Sequence, residues 1–378
     1  MKIRVVTTLR EFDGLAPAWQ SIVREGGQTS PFLSHDWFAC CWRSAGPERR
    51  REAWVFEDGG SPLAIVPLLR WRARIHRLPV RMLGLMTAVD TPFVDVVAAR
   101  AAEDVVTALF SELRRRRDWD VLSVVKMPPD AVVAKAVERA LPPDFRCRVA
   151  GVVESPYLHV TGDWDAFLKE RSQRFRKTLR NVENRVHRAG AVAVEEHRAV
   201  TPESTLFAEI MDVASQSWKG PRALAMSTMP GMPRFFGELT RRASANGWLR
   251  LWVLRLDGQA VATEYQIVDG DVVHALRADF DASKADLSPG AYLNGQIVRT
   301  LFERGEARSY EMGPGANDYK LRWASGVHAY RSLRLYAPTT YGRMLYGLET
   351  RLAPLVRQWR NGSQGAQVRS VARPNLPA

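Results

Sequence analysis

Four short stretches hold residue types that can do chemistry. In DLSPGAYL (286–293), Ser288 is a natural N-cap, Pro289 fits a first helical turn, and Gly290 and Ala291 leave the backbone nearly bare. A plain helix start has no use for that glycine. A helix that must approach a phosphate or pyrophosphate does, because its free N–H groups and its dipole favour an anion there. In AVATEYQIV (260–268), Glu264 interrupts an apolar strand, where a carboxylate is costly to bury unless it is paired or has a task. Taking a proton from an amine is one such task; pairing with His274 or Arg277 is the plainer expectation. Asp279 poses the same question, whereas Asp281 reads as a turn cap. In RFRKTLRNVENRVHRAG (174–190), Arg176 and Arg180 lie one turn apart and can clamp one anion, although a solvated face is the default for such a run. Last, GPGANDYKLRW (313–323) lacks the third glycine of a dinucleotide fingerprint but presents Lys320, whose plainest partner is Glu311 or Asp318.

These residues need elements to hold them. Helical spacing runs from Thr161 to Gly190, a second helix opens at Thr201-Pro202-Glu203, and a third spans Pro233 to Ala245. The period then changes to two: LRLWVLRL, AVATEYQIV and DVVHALRADF are separated by Asp257-Gly258 and Asp269-Gly270, which predicts a three-stranded antiparallel meander. A helix with Leu293, Ile297, Val298, Leu301 and Phe302 inward follows and stops at Gly305; strands at 307–312 and 329–336 complete the series. The first half repeats the plan loosely, with a helix at 35–43, a strand–turn–strand unit, a helix at 102–116 and the strand WDVLSVVKM. The expectation is an α+β fold of two tandem units, each a mixed, mostly antiparallel sheet flanked by helices. Their expected bounds are 1–155 and 156–340, with a C-terminal helix and a tail disordered beyond Asn361 in 341–378.

Composition sets outer limits. The chain has 378 residues, 46% hydrophobic and 25% charged, enough for two ordinary cores. Its longest apolar stretch, Leu63–Leu69, is far short of a membrane span, and the alternating N-terminus has no signal-peptide block, so a cytoplasmic protein is expected. Cys40, Cys41 and Cys147 form no metal or disulfide pattern, the histidines show no ligand spacing, and no metal is expected. A net charge of +13 favours anionic partners, or a solvated basic face.

The stretches LRLDGQAVATEYQIVDGDVVHALRADFDASKADLSPGAYL and GEARSYEMGPGANDYKLRWA, and more loosely PFLSHDWFACCW and RFRKTLRNVENRVHRAG, resemble the GNAT superfamily of acyl-CoA-dependent N-acyltransferases. Within it, the chain is similar to the tandem-domain branch of cellulose-biosynthesis-type (CelD/BcsL-like) acetyltransferases and Fem peptidyltransferases. The likeness spans residues 5–340 and is specific over 250–325. It implies two GNAT-like domains, the N-terminal one degenerate, the C-terminal one binding acyl-CoA. The pantetheine arm would enter a splay between the fourth and fifth strands, with the pyrophosphate at Ser288, Pro289, Gly290 and Ala291.

The resemblance also places Lys320 at the active site, gives Tyr319 the role of protonating the thiolate, and leaves Glu264 and Asp279 as candidate bases. It sets Arg176, Arg180, Trp218 and Asp318 toward an acceptor that can be anionic. Two departures leave the donor open. The usual Gln/Arg-x-x-Gly-x-Gly/Ala signature is absent, and Glu311-Met312 stands where the branch has Asp-Phe. The implied function is transfer of an acyl group, acetyl first, from acyl-CoA to an amine of a small molecule or saccharide precursor. The alternatives are a Fem-type transferase using aminoacyl-tRNA, or a non-catalytic binding subunit with this fold.

Overall fold

A computed structural model describes residues 1–99, 102–217, 219 and 224–352. The first half runs β1 (Lys2–Val6), α1 (Leu9–Asp13), α2 (Ala16–Gly26), α3 (His35–Ser44), β2 (Arg50–Asp58), β3 (Ser61–Ile75), β4 (Leu78–Leu85), β5 (Val97–Ala98), α4 (Ala102–Arg115), β6 (Val121–Met127), α5 (Val132–Ala140) and β7 (Arg146–His159). The second runs α6 (Trp164–Glu170), α7 (Gln173–Ala189), β8 (Val192–His197), α8 (Thr205–Gln216), α9 (Met232–Ala245), β9 (Leu249–Leu256), β10 (Gln259–Asp269) and β11 (Val272–Phe280). After these come α10 (Pro289–Arg304), β12 (Ser309–Glu311), α11 (Asp318–Leu321), β13 (Gly326–Tyr336) and α12 (Thr340–Gly347). The tail expected beyond Asn361 and Trp218 both lie outside the described residues.

The meander forms as the Asp-Gly steps dictate. Asp257 and Gly258 both take positive φ, the backbone of a two-residue hairpin turn. The run expected as one helix over 161–190 is two. Ser172 breaks it by acting as a second N-cap, its Oγ accepting the Phe175 N–H at 3.2 Å.

Both halves share one sheet, in the order β1-β2-β3-β4-β6-β13-β7-β12-β11-β10-β9-β8, with β5 on β3. Every contact is antiparallel except β4–β6 and β11–β12, each a parallel pair bridged by a helix, α4 or α10. That recurrence is the internal repeat. β13, late in the chain, inserts between β6 and β7, so the expected division at 155/156 falls inside a strand that pairs with the second half. Three large cores follow. One face of the second half packs α7 and α10 on the meander, and one face of the first half packs α4 and α5. A third core, with Trp19, Trp37, Phe38, Phe235, Phe236 and Tyr265, joins α1–α3 to α8 and α9 across the halves.

Candidate active site

β11 and β12 stay paired only over Val272–His274 and Ser309–Glu311. Beyond that they part, and a cavity of about 570 Å³ occupies the gap. Its wall runs from Ser288, Gly290 and Ala291 through Glu264 and Lys320 to Asp90 and Lys126 of the first half.

α10 starts at this opening. Ser288 stands at the N-cap position but in the left-handed region (φ 58°), and its side chain caps no helical N–H. Its Oγ instead accepts a hydrogen bond from Arg185 Nη2 at 3.2 Å. A Cβ on Gly290 would meet the Phe280 ring at 3.2 Å, so the bare residue serves packing inside the protein as well as leaving the helix start open. With 16 residues behind it, α10 aims its positive end at this rim; the Ala291 and Tyr292 N–H groups already donate to Ser288 O (3.0 and 3.1 Å), so the Gly290 N–H and the helix dipole are what the start offers an anion.

Glu264 is buried, yet neither expected partner holds it. Tyr310 donates its hydroxyl to Oε1 at 2.5 Å and Gln266 Nε2 donates to the same oxygen at 2.7 Å. Asn294 Nδ2 in turn donates to the Tyr310 oxygen (3.1 Å), and Trp252 Nε1 to Gln266 Oε1 (3.1 Å). Burial pushes the Glu264 carboxyl above the usual range, while Tyr310, Gln266 and the Lys320 charge pull the other way. His274 lies on the opposite face against Phe32 (ring centroids 4.8 Å apart); burial drives its pKa down to about 3, so it is neutral. Arg277 pairs with Asp90 at 3.0 Å.

Lys320 is likewise without the expected carboxylate. Its Nζ donates to Gly313 O (3.0 Å) and Pro314 O (3.1 Å), which ties the glycine-rich loop to α11; Asn317 caps that helix. Burial lowers its pKa to about 8, with Glu264 opposing. Tyr319, 48% exposed, also lines the cavity; its phenol is raised by desolvation and by the Glu264 charge.

Asp279, Asp318, Arg176 and Arg180 fall outside this cavity. Asp279 is buried in ion pairs with Lys219 (2.8 Å), which follows α8, and with Arg277 (3.6 Å) on its own strand. Asp318 sits exposed in the first turn of α11. Arg176 and Arg180 line a separate pocket of about 230 Å³ between α7 and α10, where Ala291 forms part of both walls. α7 runs beside the start of α10, and its Arg185 touches Ser288.

Several residues of the wall carried weaker signals. Asn294 is a polar residue at an inward helical position, with Oδ1 buried and unpartnered among the described residues. Lys126, at φ 50°, donates to Val89 O (2.9 Å) and Thr91 O (2.8 Å); burial lowers its pKa and raises that of Asp90. Glu311 is only 9% exposed, its Oε1 accepting from Ser309 (3.2 Å) and lying 3.3 Å from His328 Nε2. No group of three or more metal-ligating side chains occurs among the described residues, and none of their helices is long and apolar enough to cross a membrane.

No curated protein matches the chain. In fold it is similar to the C-terminal domain of a putative lysylphosphatidylglycerol synthetase from Agrobacterium fabrum, at 16% identity and TM-score 0.53, covering 90% of this chain and 95% of that one. It is also similar to a conserved protein of unknown function from Bacteroides thetaiotaomicron VPI-5482 (13%, TM-score 0.54, 89% and 100%). FemX resembles it too (12%, TM-score 0.50, 88% and 97%). Residues 173–321, which build the α10 start, the splay and the Lys320 loop, match the acetyltransferase (GNAT) domain model.

Proposed function

We propose that the protein transfers an acyl group, acetyl in the first instance, from acyl-CoA to an amine of a small molecule or saccharide precursor. The observation that carries this reading is the continuity of one cavity from the start of α10 through the β11–β12 splay to Lys320 and Glu264. The Gly290 N–H and the positive end of α10 would hold a pyrophosphate, and the splay would take a narrow thioester arm. The attacking amine forms a C–N bond at the carbonyl carbon, and the C–S bond then breaks with its electron pair on sulfur. Negative charge develops on oxygen and sulfur during those steps. The Lys320 ammonium, held by two carbonyls, is placed to stabilise it, and Tyr319 to supply the thiolate with a proton. Glu264, whose Oε1 already takes two donors, holds Tyr310 and Gln266 in place.

A second reading keeps the chemistry but changes the donor to an aminoacyl-tRNA. It is favoured by the exposed Arg174, Lys177, Arg180 and Arg188 along α7, which lead to Arg185 at Ser288. Thermal melting with acetyl-CoA, longer acyl-CoAs and bulk tRNA separates the two. A ligand that binds only the native state adds about 2.7 kcal/mol at a hundredfold excess over Kd. No shift with any CoA ester at millimolar concentration rules out the first reading. A tRNA shift that collapses as salt rises supports the second.

A further inference from the structure

We propose that Glu311, with His328 behind it, binds the acceptor amine and removes its proton. This rests on the acyltransferase reading.

Consecutive residues of a strand point to opposite faces. Tyr310 faces α10, where it meets Glu264 and Asn294. Glu311 therefore faces the first half. Its register partner on β11, His274, confirms that side by packing against Phe32 and Phe93 (centroids 4.8 and 6.4 Å). The cavity passes between the diverging strands and is walled on that side by Asp90, Lys126 and Tyr330.

Of the cavity's carboxylates, Asp90 pairs with Arg277, and Glu264 and Glu311 are satisfied unequally. Glu264 Oε1 already accepts two short hydrogen bonds on the α10 side. Glu311 Oε1 has two long ones, from Ser309 and His328, and its buried Oε2 has no donor among the described residues. Leaving a buried acceptor unpaired costs about 1–3 kcal/mol, more for a charged group. An incoming ammonium supplies the missing donors. Behind Glu311, the His328 side chain is 42% exposed and stacks between Tyr157 (4.3 Å) and Tyr330 (5.8 Å), which fixes the ring where it touches both the carboxylate and water.

The acceptor binds as R–NH3⁺ and passes one proton to Glu311, then through His328 to solvent. The neutral nitrogen attacks the thioester carbon, and the C–S bond breaks with its electrons on sulfur. The second nitrogen proton ends on the thiolate, so an amide, a thiol and one released H⁺ balance the reaction. The titratable groups around Glu311 are His328 and Tyr330 on β13, His159 on β7 and His274 on β11; burial pushes its carboxyl up, while His328 and His159 hold it down.

The test uses the full chain with acetyl-CoA as donor and n-butylamine and glucosamine as acceptors, monitored by thiol release. Glu311→Gln should lower kcat/KM for the amines by about 10²-fold or more, leave the acetyl-CoA Kd unchanged and erase the acidic limb of the pH profile. Glu264→Gln should keep that limb. His328→Ala should lose part of the rate and regain it with added imidazole. If Glu311→Gln fails to fold, Glu311→Asp should retain the limb at reduced kcat. Activity of Glu311→Gln within a few-fold of native, or a limb that vanishes only in Glu264→Gln, overturns the inference. So does a native protein that binds acetyl-CoA but acylates neither amine. A native protein that binds no CoA ester overturns the underlying reading instead.

Discussion

The two halves carry the same device and use it differently. In the first, β4 and β6 pair in parallel over Met82–Gly84 and Val121–Ser123, with α4 between them in sequence. The space beneath is filled by Leu83, Leu85, Leu109, Phe110, Leu113 and Val124, leaving a void of about 20 Å³ with an all-apolar wall. In the second, β11, α10 and β12 repeat the connection, but the strands enclose about 570 Å³ and the wall includes Glu264, Asn294 and Lys320. One connection thus yields a packed core in one place and an open cavity in the other. Topology supplies the location; the side chains decide whether it is packed shut.

The contrast can be broken from either side. The largest effect should come from emptying the packed half. Phe110→Ala should cost about 3–5 kcal/mol of stability, seen as a lower Tm, with ligand affinity of the folded protein untouched. Loss of donor binding in that variant would mean the first half is more than scaffold.

In the open half, Lys320→Ala should lower kcat by about 10²-fold with little change in donor affinity. Intact turnover with reduced stability would leave Lys320 only its tie to Gly313 and Pro314.

Gly290→Val crowds Phe280 and closes the start of α10, so it should lower the unliganded Tm and also remove most of the roughly 2.7 kcal/mol that a hundredfold excess of donor adds to the folded protein. A normal ligand shift would relocate the donor's phosphates.

Lys320 also predicts a pH dependence. Its pKa of about 8 lies below the ordinary lysine value, so above about pH 8 the unfolded chain binds more protons than the native one. Its contribution to stability therefore rises with pH from about 8 to about 10.4, whereas a rate that needs the ammonium falls about tenfold per unit above 8. A kcat flat through pH 9.5 would show that its charge is not used.

The smallest changes should come from the rim. Arg180→Gln and Arg185→Gln should each weaken donor binding by about 0.2–1 kcal/mol, more at low salt. If the acceptor KM rises instead, α7 serves the acceptor.

Local pattern was legible and long-range placement was not. The Asp-Gly turns, the α10 stripe and its stop at Gly305 rest on contacts within a few residues, and they form where the sequence puts them. The same holds for Glu264, recognisable as a charge inside an apolar strand, and for Ser288 and Gly290 at a helix start. Their partners were a different matter. Glu264 meets Tyr310 from 46 residues away, and Arg185 meets Ser288 across 103.

The sequence by itself determined the element types, the two tandem units and the α10 start, because periodicity and turn chemistry act over one or two turns of chain. Only the tertiary structure decided that β13 joins the halves into one sheet, that α7 flanks α10, and that Tyr310 and Glu311 face different sides of the splay. Those outcomes depend on strand register and on which cores fill first. Side chains more than a hundred residues apart settle both by packing, and no local spacing encodes them.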